Sequence, residues 1–487
     1  MTRLGQPLLD AMAWGIDLAA RELLLFALFW FLLGAIDELA VDLVWLWQKV
    51  RGRAQTGRVI APPASNLRGL TAVFIPAWSE SEVIGTTIAC MLRTWRQPEL
   101  RLYIGCYRND TPTIAAAMAA IGGEVRARIV IADRAGPTTK ADCLNRLDAA
   151  LRQDEARHGE RFRAVVFHDA EDMVHPLALP AIDRALETCD FVQLPVRPEP
   201  GPGGHWIAGH YCDEFAEAHA KGMVVRAALG AALPAAGVGC GISRAMLDRL
   251  AEARRRAGGS PCGGPFAAEA LTEDYELGLL TARLGVRGRF LRLRDGDGNL
   301  VATRSLFPDE LGAAVRQKTR WIHGIALQGW DRLGWVRRPV DVWMALRDRR
   351  GPLTALVVAA AYLLMVVDAL ALALHALAGR PAPSPEPALR AMMAVGVVNL
   401  GWRAALRAVF TGREYGWKEG LRAVLRIPLA NVILIVSGRR AFMAYLRSLA
   451  GVPVAWEKTV HRQHVAALAP PSPCEGAAPA LAAGATA

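Results

Sequence analysis

The sequence has no cysteines at paired metal-binding or disulfide-framework spacing: its eight cysteines, among them Cys90, Cys106, Cys143 and Cys240, are scattered. That argues against a zinc site or a stapled secreted scaffold and leaves small buried hydrophobes in a reducing compartment. No segment repeats at a fixed period, which excludes a solenoid or propeller. The N-terminus also lacks the basic stretch, short apolar core and small-residue cleavage site of a signal peptide. Its first apolar run, Leu23 to Trp47, is too long and begins too late, so it reads as an anchor.

What is present is apolar surface. The 487 residues are 53% hydrophobic with a mean hydropathy of +0.20, high for a wholly soluble chain, so part of the protein is expected in lipid. The run Leu353 to Leu377 holds a single acid, Asp368, and exceeds the roughly 20 residues that cross a bilayer core. Leu23 to Trp47 has the length but carries Asp37, Glu38 and Asp42, each costing about 2.5–3.5 kcal/mol at a span centre unless it faces another helix. Ala391 to Phe410 is a third candidate, with Arg403 and Arg407 placed to snorkel. Pro428 to Ser437 is short and followed by Arg439 and Arg440, which predicts an interfacial or re-entrant piece.

The basic residues Lys49, Arg51, Arg53 and Arg58, with Arg337, Arg338, Arg347, Arg349 and Arg350, place residues 50–350 in the cytoplasm. The loop Gly379 to Glu386 then lies outside, and Arg413, Lys418, Arg422 and Arg426 inside. The net charge of +11 is in this reading a membrane-facing signature, with no nucleic-acid partner implied.

Between the anchors, apolar β-branched runs alternate with helical patterns, which predicts an α/β fold on a mostly parallel sheet. Candidate strands are Thr71 to Ile75, Leu100 to Gly105, Arg128 to Ile131, Ala164 to Phe167 and Phe191 to Leu194. Ligands of such sheets bind beyond the carboxyl ends of the strands, and chemistry-bearing residues gather there. Ser79 and Glu82 have the spacing of a capping box for the helix of Val83 to Trp95, with a nucleotide contact as the alternative. Asp110, in Arg108-Asn109-Asp110-Thr111, either makes an Asx-turn or accepts from a base or ribose. Lys140 and Asp142 open the segment Lys140-Ala141-Asp142-Cys143-Leu144-Asn145, which alone reads as an ordinary helix start.

The fourth strand runs into His168-Asp169-Ala170-Glu171-Asp172, three carboxylates within four residues. Like charges so clustered call for a compensating cation, and an oxygen-rich set suits Mg²⁺ or Mn²⁺ bridging to a diphosphate. His168 and His175 fit better as hydrogen-bonding supports than as ligands. Thr272-Glu273-Asp274 decorates a helix start with acids that suit its dipole. Gln317-Lys318-Thr319-Arg320-Trp321 supplies a guanidinium fork for phosphate, an indole face for a sugar ring and an amide for hydroxyls.

In this order the motifs resemble those of the membrane-integrated family 2 glycosyltransferases, which include cellulose and hyaluronan synthases. Within that group the bacteriophage adsorption protein B type is similar over residues 20–465, including Trp456-Glu457-Lys458-Thr459-Val460-His461. The resemblance implies a cytoplasmic GT-A domain, Rossmann-like, at residues 55–345. An anchor helix at 1–50 precedes it, and transmembrane and interfacial helices at 350–450 follow. A cytoplasmic segment at 451–465 and a disordered tail at 466–487 complete the chain. It implies Asp110, Lys140, Asp142 and Asp169 at the nucleotide and Asp169 and Glu171 at the metal, glutamate standing where an Asp-x-Asp pair has its second aspartate. Asp274 is then the general base, Gln317, Arg320 and Trp321 line the acceptor and diphosphate, and Gly237-Val238-Gly239-Cys240-Gly241 lies beside the acceptor end. The implied partners are a nucleotide-diphosphate sugar, a glycan or lipid-linked acceptor, membrane lipids and an export partner in the envelope. A non-enzymatic receptor subunit and a single-transfer enzyme acting on a polyprenyl phosphate stand as alternatives.

Overall fold

The computed structural model describes residues 5–54, 56–59, 66–201, 203–258, 264–452 and 463–468. Trp456 to His461 and most of the expected tail lie outside them. The strands β1 (Thr71–Pro76), β2 (Leu100–Tyr107), β3 (Ala127–Ala132), β4 (Ala164–Phe167), β5 (Phe191–Gln193), β6 (Cys240–Ser243) and β7 (Arg289–Phe290) form one seven-stranded sheet. Their order is β3-β2-β1-β4-β6-β5-β7. β1 to β4 run parallel, β6 lies antiparallel between β4 and β5, and β7 returns parallel to β5.

The continuous apolar runs suit these strands because helices cover both faces of the sheet. On one face the helix Ile84–Thr94 buries Ile84, Ile88 and Met91, with Trp95 fully enclosed beside it. On the other, Lys140–His158 buries Leu144, Leu147 and Leu151, and Arg244–Arg256 buries Met246 and Leu250. Each such side chain contributes about 1.5–3 kcal/mol relative to exposure. The chain order reverses between β1 and β4, so the loops after these two strands flank a topological switch point.

Among the described residues four helices are long and apolar enough to cross a membrane: Gly5–Val50, Gly351–Leu377, Pro387–Tyr415 and Ile427–Leu449. The acids of the first are answered by partners, as expected. Asp37 accepts from Trp343 and pairs with Arg347 and Arg350, while Asp42 accepts from Lys221 at 2.5 Å and from Trp402 at 2.9 Å. At the other end His375 meets Asp17 at 3.0 Å. Asp17 and Asp37 stand twenty residues apart, about 30 Å along a helix and close to the thickness of a bilayer core, with Arg21 and Glu22 one turn inside.

Two expectations change. Arg403 and Arg407 do not snorkel: Arg403 pairs with Glu217 at 2.9 Å and Arg407 with Asp213 at 3.2 Å, both carboxylates supplied by the sheet domain. The apolar stretch Pro428 to Ser437 is the first half of a 23-residue helix, because Arg439 and Arg440 are exposed and do not interrupt helical hydrogen bonding. That helix nevertheless lies along the sheet domain. Ile433 packs with Tyr211, Ala314 and Val315, Ser437 donates to Val315 O at 3.3 Å, and Tyr445 donates to Asp331 at 2.9 Å. Near the chain end the tail is expected from Ala466, yet Val465–Leu468 makes a 3₁₀ turn beside His464, whose ring lies 3.4 Å from Asp172 O.

Candidate active site

The carboxyl ends of β1 and β4 open into a cavity of about 460 Å³. Lys140, Asp169, Glu171, Asp274, Gln317, Arg320 and Trp321, which come from distant parts of the chain, all line it. Asp110 and Asp142 do not.

The acidic loop divides its carboxylates between two tasks. Asp172 is buried, 2.9 Å from His168 Nδ1, and accepts the Asp169 N–H at 2.9 Å, which fixes the turn. Thr87 Oγ1 donates to Ala170 O at 2.5 Å from the other side. Asp169 and Glu171 are left facing the cavity. His175 accepts from the Leu177 N–H and meets Asp295 at 3.2 Å, so both histidines are supports, as expected.

Lys140 Nζ donates to Asp169 Oδ1 at 2.5 Å. Burial disfavours its charge, but Asp169, Glu273 and Asp274 more than offset this and hold the ammonium well above its usual range. Asp274 sits on the first turn of Glu273–Arg283, where its Oδ1 accepts from the Tyr275 N–H at 2.7 Å. Burial raises its carboxyl above the usual carboxylate range, with Lys140 and Arg320 opposing. Burial, and then Asp274, push the neighbouring Glu273 up to about 8.

A carboxyl raised in the fold from 4.5 to about 8 holds a proton that the unfolded chain releases, so its stabilisation is full below pH 4.5 and is lost as pH rises to about 8. The melting temperature is therefore expected to fall between about pH 5 and about pH 8, and Glu273→Gln to flatten that slope. Thermal scans of both proteins across this window check it.

At the far wall, Leu311–Trp321 presents Gln317, Arg320 and Trp321 and continues as a π-helix, Ile322–Gln328, a distortion frequent at functional sites. Trp321 meets Tyr211 edge-to-face at 5.9 Å with Phe215 and Phe307 beside it, an aromatic wall suited to a sugar ring. Gln317 Oε1 is buried and meets no hydrogen-bond donor among the described residues. Lys318 points away, to Glu214.

The turn after β1 differs from expectation. The helix begins at Ile84, and Ser79 has φ 54° instead of capping it. The Asp110 carboxylate takes the Ser79 N–H at 2.6 Å and Thr113 Oγ1 takes the Glu80 N–H at 2.9 Å, tertiary bonds that displace the local capping box. Asp110 also caps Thr111–Ile121. Asp142 lies in the first turn of its helix, its N–H accepted by Thr139 Oγ1 at 3.2 Å. Sequence reasoning missed Trp78 and Tyr107, which pack edge-to-face at 5.2 Å on the cavity wall. The available signal was their position at the carboxyl ends of β1 and β2.

Among the described residues no cluster of three or more His, Cys, Asp or Glu is arranged to hold a metal ion alone. Asp169 and Glu171, both on the cavity wall, fit an ion that completes its shell with diphosphate oxygens and water, as Mg²⁺ commonly does.

An open sheet of this order, with carboxylates at its switch point and long apolar helices attached, defines the class: a GT-A glycosyltransferase fold with candidate membrane helices. The chain belongs to the glycosyltransferase-like family 2, whose model matches residues 68–324. It is 30% identical over 462 residues to bacteriophage adsorption protein B of Escherichia coli (strain K12) and, equally, to bacteriophage N4 adsorption protein B of Escherichia coli O157:H7. The alignments cover 88% of this chain and 60% of each relative, so the chain spans about three fifths of their length. Among solved structures, the mannosyltransferase PcManGT from Pyrobaculum calidifontis, in complex with GDP-Man and Mn²⁺, shares the fold. Its TM-score is 0.51 at 15% identity, covering 86% of this chain and 99% of that one.

Proposed function

We propose that this protein is an inverting glycosyltransferase of the bacterial inner membrane, its sheet domain cytoplasmic, moving a sugar from a UDP-sugar to a growing cell-surface glycan. The observation that carries this reading is the convergence of Lys140, Asp169, Glu171, Asp274, Gln317, Arg320 and Trp321 on one cavity. Trp78 and Tyr107 form the nucleoside wall, shaped by Asp110 through Ser79, and Asp142 stands behind it at the start of the Lys140 helix. Asp169 and Glu171 would hold a divalent ion, which supplies charge neutralisation on the leaving diphosphate. Lys140 and Arg320 add positive charge where that diphosphate departs. Asp274 takes the acceptor hydroxyl proton as the oxygen attacks the anomeric carbon from the opposite face. Gln317 and Trp321 orient the acceptor.

The orientation has support in the fold. The last helical turn of Gly351–Leu377 and the first of Pro387–Tyr415 flank the loop Gly379 to Glu386, and their other ends join the sheet domain, where Tyr415 donates to Pro198 O at 2.7 Å. The four candidate spans among the described residues, one of them lying along the sheet domain, are few for a complete glycan channel, which favours a lipid-linked acceptor or an export partner in the envelope.

The test is nucleotide release by membranes containing the protein, with Mg²⁺ or Mn²⁺, over a panel of UDP-sugars with GDP-mannose added. Asp169→Asn and Glu171→Gln are each expected to lower metal-dependent release by about 10²–10³. Silence across the panel would favour a non-enzymatic receptor role.

A further inference from the structure

We infer that Gln193, outside every motif that singled out the site, is a positioning residue that holds the wall beside Asp274; the inference rests on the transferase reading above. Gln193 ends β5 and is fully buried. Its Nε2 donates to Leu194 O at 2.7 Å and to Val238 O at 2.9 Å, and its Oε1 accepts the Ala236 N–H at 2.8 Å. One amide thus uses both ends to pin the loop Pro234 to Gly239. Pro234, Ala235, Ala236 and Val238 line the cavity.

The opposite side of that loop bears on the candidate base. Gly237 has φ 78°, and a Cβ there would collide with Asp274 Oδ2 and crowd Lys140 Nζ at 3.2 Å. The helix that carries Asp274 rests on the same strip, since a Cβ at Gly278 would strike the backbone of Leu233 to Ala235. The loop is therefore held between the Gln193 amide and the Asp274 helix, with no side chain at Gly237 to take up slack. Freeing it would open the space around Asp274 to water and loosen the seat of the acceptor hydroxyl, without touching the nucleoside wall at Trp78 and Tyr107.

Gln193→Met keeps length and approximate volume and removes these hydrogen bonds. In the protein in detergent, the Ala236 amide, whose N–H the Gln193 side chain accepts, is expected to exchange with solvent at least about 10-fold faster, with UDP affinity within about twofold of wild type. With a radiolabelled sugar donor that the wild type turns over, hydrolysis relative to transfer into product should rise at least about 10-fold, and Gln193→Glu, which keeps the acceptor oxygen, should fall between. Unchanged amide exchange would overturn the clamp. So would faster exchange with an unmoved hydrolysis-to-transfer ratio. A wild type that transfers no sugar would instead count against the transferase reading, and the exchange measurement judges the clamp in either case. If Gln193→Met does not fold, Gln193→Glu alone, which gives up the bonds donated to Leu194 O and Val238 O, is read: a raised hydrolysis-to-transfer ratio supports the inference and an unmoved ratio overturns it.

Discussion

Asp274→Asn is expected to lower sugar transfer by about 10²–10⁴ while nucleotide binding stays intact. Asparagine occupies the same volume and its Oδ1 still accepts the Tyr275 N–H, so the start of the helix Glu273–Arg283 is preserved. Lys140 keeps its bond to Asp169. What disappears is the carboxylate oxygen that the structure sets against Gly237, in the cavity that Lys140, Arg320 and Trp321 also line. The raised carboxyl of Asp274 strengthens the case, since a carboxylate whose burial lifts it above its usual range, against Lys140 and Arg320, accepts a proton more readily. Turnover and UDP titration on the same preparations check this. A variant that transfers sugar at the wild-type rate would remove Asp274 from the mechanism, and one that also fails to bind UDP would indicate a misassembled site.

The strands of the sheet could be read from the sequence because their signal is local: Thr71 to Ile75 and Ala164 to Phe167 are apolar, β-branched runs that match β1 and β4 within a residue. Motif order along the chain likewise located the cavity wall, since switch-point topology brings strand ends together whatever separates them in sequence. Side-chain partners were another matter. Ser79 has the local spacing of a capping box, and only the fold reveals that Asp110, 31 residues on, claims its N–H. Arg403 and Arg407 look like snorkelling residues until Glu217 and Asp213 arrive from the sheet domain. Gln193 carries no sequence signal at all, because a buried glutamine is defined by the backbone it satisfies. Such interactions reward contact between segments far apart in the chain, which no periodicity encodes.

The same logic makes Asp213 the position where substitution should damage the assembly most. Asp213 and Arg426 are both completely buried, paired at 2.6 Å, and Arg407 and Thr411 also bind this carboxylate. Arg426 further donates to Glu419 at 2.7 Å and to His205 O at 2.7 Å, and Gly209 leaves the room its guanidinium needs. The cluster fastens the helix Ile207–Glu217 to the long helix Pro387–Tyr415 and to the turn before Ile427–Leu449. Removing one member of a buried pair strands the other in low dielectric, at a cost of about 3–5 kcal/mol. Asp213→Leu, which takes the carboxylate from Arg407 and leaves Arg426 with Glu419 as its remaining acid, is expected to cost more than Arg426→Met, which leaves Asp213 with Arg407. Combining the two should cost less than the sum of the single losses, because the Asp213–Arg426 pair that each single variant breaks can be lost only once. Thermal unfolding in detergent, followed by tryptophan fluorescence, reads all three. Because Glu214 of the same helix pairs with Lys318, beside Gln317 in the cavity wall, the loss of anchoring should also lower turnover at temperatures where the protein remains folded. Single variants with wild-type melting, or losses that simply add, would show that these charges are independent and that apolar packing alone docks the membrane helices to the catalytic domain.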